Sequence, residues 1–306
     1  MCAMLYRPLG HTGMTVSEIG FGCASWWGMP AFSEVDALAL VHAALDHGVT
    51  LFDTAPGYSR GEAEPRLGRA LKGRNLDGLM IATKAGTRFE GGRMVRDMTL
   101  PAITASVERS LGRLGLEALP LVQLHGPGLD ELTDDFADGL QALKAKGLVR
   151  ALGVNSFDPA VISRAIALPV FDTVMIDYNV LRPERAPLIA RAGEAGKGVL
   201  AGMALAMGHT GLQAFKLRRL RDVWYALRAL KNHRADIARG ARMTFLNHLP
   251  DLTGPQAALA YVLANPGVSS AITGTTRMAH LMENLRAPGL ALPAETADRI
   301  AAAQGR

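Results

Sequence analysis

Short apolar runs alternate with amphipathic stretches along most of the chain, and the alternation predicts its elements one after another. Residues 5–19 read as strand, turn, strand, with Gly10-His11-Thr12-Gly13 in the turn, which makes a short hairpin. A small-residue strand follows at 20–23, then a helix over 33–46 with Ser33 as its cap and apolar residues three and four apart. Strands at 50–52, 79–83, 121–124, 151–154 and 173–176 precede helices over 63–71, 99–114, 132–146, 159–167 and 184–195. A seventh strand at 198–201 and an eighth at 270–273 are each followed by helical sequence.

Eight alternations with short connections predict an α/β fold, a (β/α)8 TIM barrel occupying residues 1–306 as a single domain. Such a barrel carries its reactive residues at the C-terminal ends of its strands. An open doubly wound sheet is the alternative, because alternation alone does not establish closure; no G-x-G-x-x-G stands in the first strand-to-helix turn, which counts against it. One stretch, 208–254, breaks the rhythm near the seventh β/α unit. It is far longer than an ordinary connection and holds Trp224, Leu227 and Leu230 at helical spacing, so the expectation is a long insertion of the lid or substrate-loop kind.

The strand ends select the candidate chemistry. An apolar run at 49–52 empties into Asp53, Thr54 and a Pro56-Gly57 turn that carries Tyr58. Lys84 stands just after the third strand and His125 closes the fourth. A phenol with its ordinary pKa near 10 is a weak acid at neutral pH. An ammonium at Lys84, held charged by Asp53, would lower that pKa, and His125 would hydrogen-bond a substrate oxygen. The set describes proton transfer to a carbonyl that receives a hydride, and the hydride must come from a cofactor because no side chain supplies one. Taken singly, Asp53 also reads as a capping residue, Lys84 as a rim charge and His125 as a turn histidine beside Gly126-Pro127-Gly128. Jointly, at neighbouring strand ends, the bland readings would all have to coincide.

Composition removes other classes. Hydrophobic residues make up 49% of the chain, enough for a sizeable core. Cys2 and Cys23 are too few for a disulfide framework or a cysteine-rich metal site, and no metal is expected. Cys23 itself reads as a buried filler. The start carries no signal-like apolar stretch, and no run approaches the roughly 20 apolar residues of a membrane span. The expectation is therefore a cytoplasmic protein with no membrane partner. The net charge of +5 is local: residues 208–248 hold nine Lys and Arg against Asp222 and Asp236. That segment is either a solvated helix face, a contact for cofactor phosphates or an attractor of an anionic substrate; without interleaved aromatics, nucleic acid is not expected.

Several motifs converge on one family. Gly48-x3-Phe52-Asp53-Thr54-Ala55-x2-Tyr58, Glu64-x2-Leu67-Gly68, Thr83-Lys84 and Ser106-x3-Ser110-Leu111-x2-Leu114 are followed by Gln123-Leu124-His125, Lys146-Gly147-x2-Arg150-x2-Gly153-Val154 and Gly274-x8-Glu283-Asn284. Over nearly its whole length the chain resembles the aldo-keto reductase superfamily, and it looks nearest to the galactose and aldose dehydrogenase branch. The resemblance implies an NADPH- or NADH-dependent barrel, monomer or homo-oligomer, that interconverts a small carbonyl and an alcohol, with sugar-like and anionic substrates among those it admits. Tyr58 would be the general acid and base, assisted by Lys84, Asp53 and His125. Isomerisation or elimination with a recycled cofactor, or cofactor sensing without turnover, are the alternatives the same resemblance leaves open.

The resemblance also implies cofactor contacts at Gly22, Cys23, Asn155, Ser156, Met175, Gly202, Leu205 and Gly208, and along Gly274, Thr275, Thr276, Arg277, His280, Glu283 and Asn284. The chain departs from the family pattern in a reversed Asn155-Ser156 pair, in Met175 where Gln is usual, and in Gly202 where an aromatic often stacks on the nicotinamide. Gly274 replaces a common basic residue, yet Thr275, Thr276 and Arg277 follow it and suit a 2′-phosphate, which favours NADP(H) over NAD(H). Trp26 and Trp27 are expected to wall a substrate pocket or to pack under a neighbouring loop. For Trp224 and Tyr225 the helical spacing favours packing over substrate contact.

Overall fold

The structure, a computed structural model, describes residues 3–206 and 234–305. Tyr6–Pro8 (β1) and Thr15–Ser17 (β2) pair antiparallel, and the eight strands of a closed parallel barrel follow in the chain. They are Ile19–Gly22 (β3), Leu51–Asp53 (β4), Met80–Ala85 (β5), Leu119–His125 (β8), Val149–Asn155 (β9), Thr173–Ile176 (β10), Gly198–Ala201 (β11) and Ser270–Thr273 (β12). Ala271 of β12 pairs with Ile19 of β3, and this contact closes the ring and excludes the open doubly wound alternative. Between β5 and β8 lies a second hairpin, Thr87–Glu90 (β6) with Arg93–Arg96 (β7).

Helices cover the outside: Glu34–Asp46 (α1), Ala63–Leu71 (α2), Leu100–Leu114 (α3), Asp134–Ala145 (α4), Pro159–Ala167 (α5) and Ala186–Glu194 (α6). Arg234–Arg242 (α7), Gly254–Leu263 (α8), Met278–Asn284 (α9) and Ala294–Gln304 (α10) complete them. Because helices lie on one face of the strands and side chains fill the other, strands such as β5 are buried at every position. One apolar cluster lies between strands and helices. The second, built from Leu51, Met80, Ala82, Leu121, Ala151, Met175 and Leu200, fills the barrel.

Leu9 and Val16 of the first hairpin join that inner cluster, and Leu9 packs where β11 begins, at Gly198. The hairpin therefore seals the end at which the strands start and leaves their C-terminal ends for the site. Arg7 anchors it: the guanidinium donates to Glu18 and to the backbone carbonyls of Leu263, Asn265 and Val268.

Two expectations shift. Strand β5 runs on through Ala85, so Lys84 lies within the strand rather than after it. Its carbonyls and amides continue to find partners on β8, where Lys84 pairs with Gln123 and Ala85 with Leu124. The hairpin β6–β7 was not expected at all. Gly91 and Gly92 take left-handed φ values of 57° and 81° between Glu90 and Arg93, the geometry of a two-residue hairpin turn. Of the long basic stretch, Gly208, Trp224 and Tyr225 lie outside the described residues; its C-terminal part forms α7 and a 3-10 turn at Thr244–His248. Among the described residues no helix is long and apolar enough to cross a membrane.

Candidate active site

Three neighbouring strands, β4, β5 and β8, bring a buried ion pair to the C-terminal end of the barrel. Lys84 Nζ lies 2.8 and 2.7 Å from the two carboxylate oxygens of Asp53 and 2.9 Å from the carbonyl of Thr54. These acceptors match the three protons of the ammonium. Gln123 Nε2 donates to Asp53 Oδ1 at 3.2 Å from the far side. Burial pushes the Asp53 carboxyl up, and the charges and hydrogen bonds of Lys84 and Gln123 oppose it. Burial also presses on the Lys84 ammonium, but Asp53 and Tyr58 outweigh it and hold the lysine above its ordinary value. Lys84 is thus charged and fixed, at 1% exposure.

Tyr58 opens a tight 3-10 turn in which Ser59 and Arg60 both adopt left-handed backbone, φ 54° and 60°. Two consecutive non-glycine residues in that region are strained, and such strain persists where surrounding structure enforces it. The turn sets the phenol ring edge-on to His125, with centroids 5.6 Å apart and planes at 86°, and places Lys84 Nζ 4.7 Å from the ring centroid. Burial pushes the phenol pKa up, Lys84 pulls it down and the Asp53 charge pushes it up again, so the net direction is above 10. The expected depression by Lys84 is thereby corrected: desolvation and the carboxylate that steadies the lysine outweigh the lysine itself. At neutral pH Tyr58 carries its proton.

His125 is also perturbed, first by burial and then by the charge of Lys84, from 6.5 down to about 4. Its ring is neutral at physiological pH, and Thr87 Oγ1 lies 2.5 Å from its Nδ1. The unfolded chain takes up a proton near pH 6.5 that the folded protein refuses until about 4. The stability this contributes is therefore complete above about pH 6.5 and declines as pH falls towards 4, by a total on the order of 3 kcal/mol. Denaturant unfolding across that window should show the decline in the wild type and a flatter profile in His125→Asn; identical profiles would remove the histidine from the pH response.

In front of these groups opens a cavity of about 1000 Å3. Asp53, Tyr58 and His125 line it together with Gly22, Trp26 and Trp27. Asn155, Met175, Gly202 and Leu205 form a second part of the wall, and Gly274, Thr275, Thr276, Arg277, His280, Glu283 and Asn284 a third. Trp27 contributes little open surface: it is 1% exposed, packs edge-on to Phe21 and donates its indole N–H to the Ala37 carbonyl. Cys23 and Ser156 are not among the lining residues. Cys23 is fully buried, its thiol pushed well up by burial, and its amide donates to the Asp53 carbonyl. The Ser156 hydroxyl instead accepts from the Asp158 amide within a turn.

Ala24, Phe157, Met203, Asn247, Pro255, Ala258 and Ile272 also line the cavity, and none of them is expected there from the sequence. Asn247 and Pro255 lie far from the strand ends in sequence, and no local pattern marks them. Phe157 had a signal, an aromatic two residues past a strand end, and it is 45% exposed.

The cavity suits an extended nicotinamide dinucleotide. Asn284 Oδ1 is buried without a hydrogen-bond partner among the described residues, an acceptor the fold leaves unmatched. A Cβ added to Gly274 would stand 2.9 Å from the Gly22 carbonyl, and one on Gly202 only 3.3 Å from Met175 Cγ. Backbone blocks a side chain at Gly274, and one at Gly202 would have to displace Met175 by a few tenths of an ångström, so both positions keep the cavity wall low.

Comparison with known proteins points the same way. Residues 18–304 match the model of the Aldo/keto reductase family. The chain is 29% identical to "Uncharacterized oxidoreductase YqkF" of Bacillus subtilis (strain 168), covering 93% of this chain and 91% of that protein. It is also 29% identical to a D-threo-aldose 1-dehydrogenase of a Pseudomonas species, with 92% of each chain covered. Among solved structures, aldo-keto reductase AKR11C1 from Bacillus halodurans, in its holo form, superposes with a TM-score of 0.79 at 29% identity, over 98% of this chain and 96% of that one.

Proposed function

The chain belongs to the aldo/keto reductase family, oxidoreductases that interconvert carbonyls and alcohols with a nicotinamide cofactor, and on that premise we propose that Tyr58 is its proton donor and acceptor. The observation that carries the reading is a part-buried phenol set edge-on beside His125 at the cavity wall, with the Lys84–Asp53 pair behind it.

When bound, the nicotinamide supplies the hydride that a carbonyl carbon accepts. Tyr58 gives its proton to the carbonyl oxygen as negative charge develops there, and the phenolate left behind is stabilised by the ammonium of Lys84. Asp53 holds that ammonium in place, and solvent returns the proton to Tyr58. In alcohol oxidation Tyr58 first loses its proton to solvent, and the phenolate beside Lys84 then accepts the hydroxyl proton. His125, neutral, hydrogen-bonds the reacting oxygen and orients the carbonyl. The gain from Lys84 arises when charge appears on the phenol, which is how a group with a raised resting pKa acts as an acid in turnover.

The cofactor reading is NADP(H), supported by Thr275, Thr276 and the exposed guanidinium of Arg277 at one side of the cavity. Arg277→Ala should weaken NADPH about tenfold while leaving NADH nearly unchanged, as fluorescence titration would read. Equal weakening of both would place the 2′-phosphate elsewhere. The aldose dehydrogenase among the relatives supports a sugar-like or polyol substrate, which a panel of aldehydes, ketones, sugars and polyols would test.

A further inference from the structure

We propose that Thr87 is a positioning residue for the reaction: its hydroxyl donates to Nδ1 of His125, fixes the ring as the Nε2–H tautomer and so turns a hydrogen-bond donor towards the substrate oxygen. The inference rests on the role given above to His125, but the contact on which it is built involves only side chains of this chain.

A neutral imidazole has one donor and one acceptor nitrogen, and which is which is set by the partner of the other. At 2.5 Å, Thr87 Oγ1 is hydrogen-bonded to Nδ1. If Nδ1 carried the proton, the hydroxyl would accept and turn its own proton to solvent, and Nε2 would present a lone pair to the cavity. A lone pair facing a carbonyl oxygen repels it. If the hydroxyl donates, both partners are satisfied and Nε2–H joins the phenol of Tyr58 as a second donor lining the same cavity. Two donors converging on an oxygen that gains charge act as an oxyanion hole does.

The second hairpin explains why a threonine can be trusted with this task. Thr87 is the first residue of β6, and Arg96, its partner across the ladder, donates to Glu131 and to the carbonyl of Gly126. Gly126 directly follows His125. The amide of Asp97 donates to the Gly86 carbonyl at 2.9 Å, which closes the base of the hairpin beside Thr87. Hydroxyl and imidazole are therefore also linked through the Arg96 guanidinium, which reaches from the strand beside Thr87 to the carbonyl of the residue after His125. The hairpin does more than decorate the rim: it carries the group that orients His125.

The test reads the ring directly. In 15N-labelled protein, with the His125 signals identified by their loss in His125→Asn, the wild type should show a protonated Nε2 and a hydrogen-bonded, unprotonated Nδ1. Thr87→Val keeps the shape and removes the hydroxyl; it should move the Nδ1 signal and lower kcat for carbonyl reduction about tenfold, with dinucleotide affinity unchanged. Thr87→Ser should restore both. Protonation at Nδ1 in the wild type would overturn the proposal, as would a Val variant that matches the wild type in spectrum and kcat. A Ser variant as slow as the Val variant would overturn it too, since the methyl group would then be what matters. If no carbonyl is reduced while Nδ1 is found held by the hydroxyl, the reading of the function fails and the fixing of the tautomer stands.

Discussion

Lys84→Met should cost the protein about 3–5 kcal/mol of stability and remove nearly all turnover. Methionine fills much of the space of the lysine stem but leaves the Asp53 carboxylate, 4% exposed, with the Gln123 amide as its remaining side-chain donor. A buried carboxylate without its cation takes up a proton instead, so its folded pKa rises above its unfolded one. The stability deficit should then grow as pH rises through the carboxylate range and shrink as pH falls. Urea unfolding near neutrality and in mild acid would show the difference. In the double variant Asp53→Asn/Lys84→Met the buried charge is gone, and most of the stability should return while activity does not. A single variant as stable as the wild type at every pH would mean that the pair is solvated rather than buried.

Tyr58→Phe should lower kcat by about 10²–10⁴ with only small changes in stability or dinucleotide affinity. Phenylalanine preserves the edge-on contact with His125 and the ring beneath Lys84 Nζ, so only the O–H is lost. An interaction made with the developing oxyanion is worth most in the transition state, and its loss falls on kcat more than on KM. Steady-state kinetics with a carbonyl substrate, beside a cofactor titration, would separate the two. Turnover within a few-fold of the wild type would take Tyr58 out of the proton-transfer role.

How much of this could be read from the chain depends on how local each cause is. The barrel was legible because each strand and helix carries its own periodicity, and helices such as Ala63–Leu71 and Pro159–Ala167 lie where their apolar spacing predicts. Asp53, Tyr58 and His125 were marked in the sequence only jointly, by their places at or just past the ends of apolar runs, and the fold brings the three to one cavity wall. Closure was not visible in the pattern, since it rests on the pairing of Ser270–Thr273 with Ile19–Gly22 across the whole chain.

The hairpin at 87–96 had a local signal, Gly91-Gly92 between alternating residues, which the stronger rhythm of strands and helices obscured. The direction of the Tyr58 shift could not be read at all. It is a balance between burial and two opposite charges, and only the three-dimensional packing sets the weight of each. For the same reason Thr87 gave no sign in the sequence of its contact with a residue 38 positions away.

The cavity before Tyr58 is proposed to hold a nicotinamide dinucleotide for the reduction of a carbonyl. Titration of the wild-type protein with NADPH and NADH, followed by addition of aldehydes, ketones and sugars to the reduced complex, tests it most directly. The proposed function predicts that NADPH binds, more tightly than NADH, and that its absorbance then falls only when a carbonyl is present. Failure of both dinucleotides to bind would contradict the account.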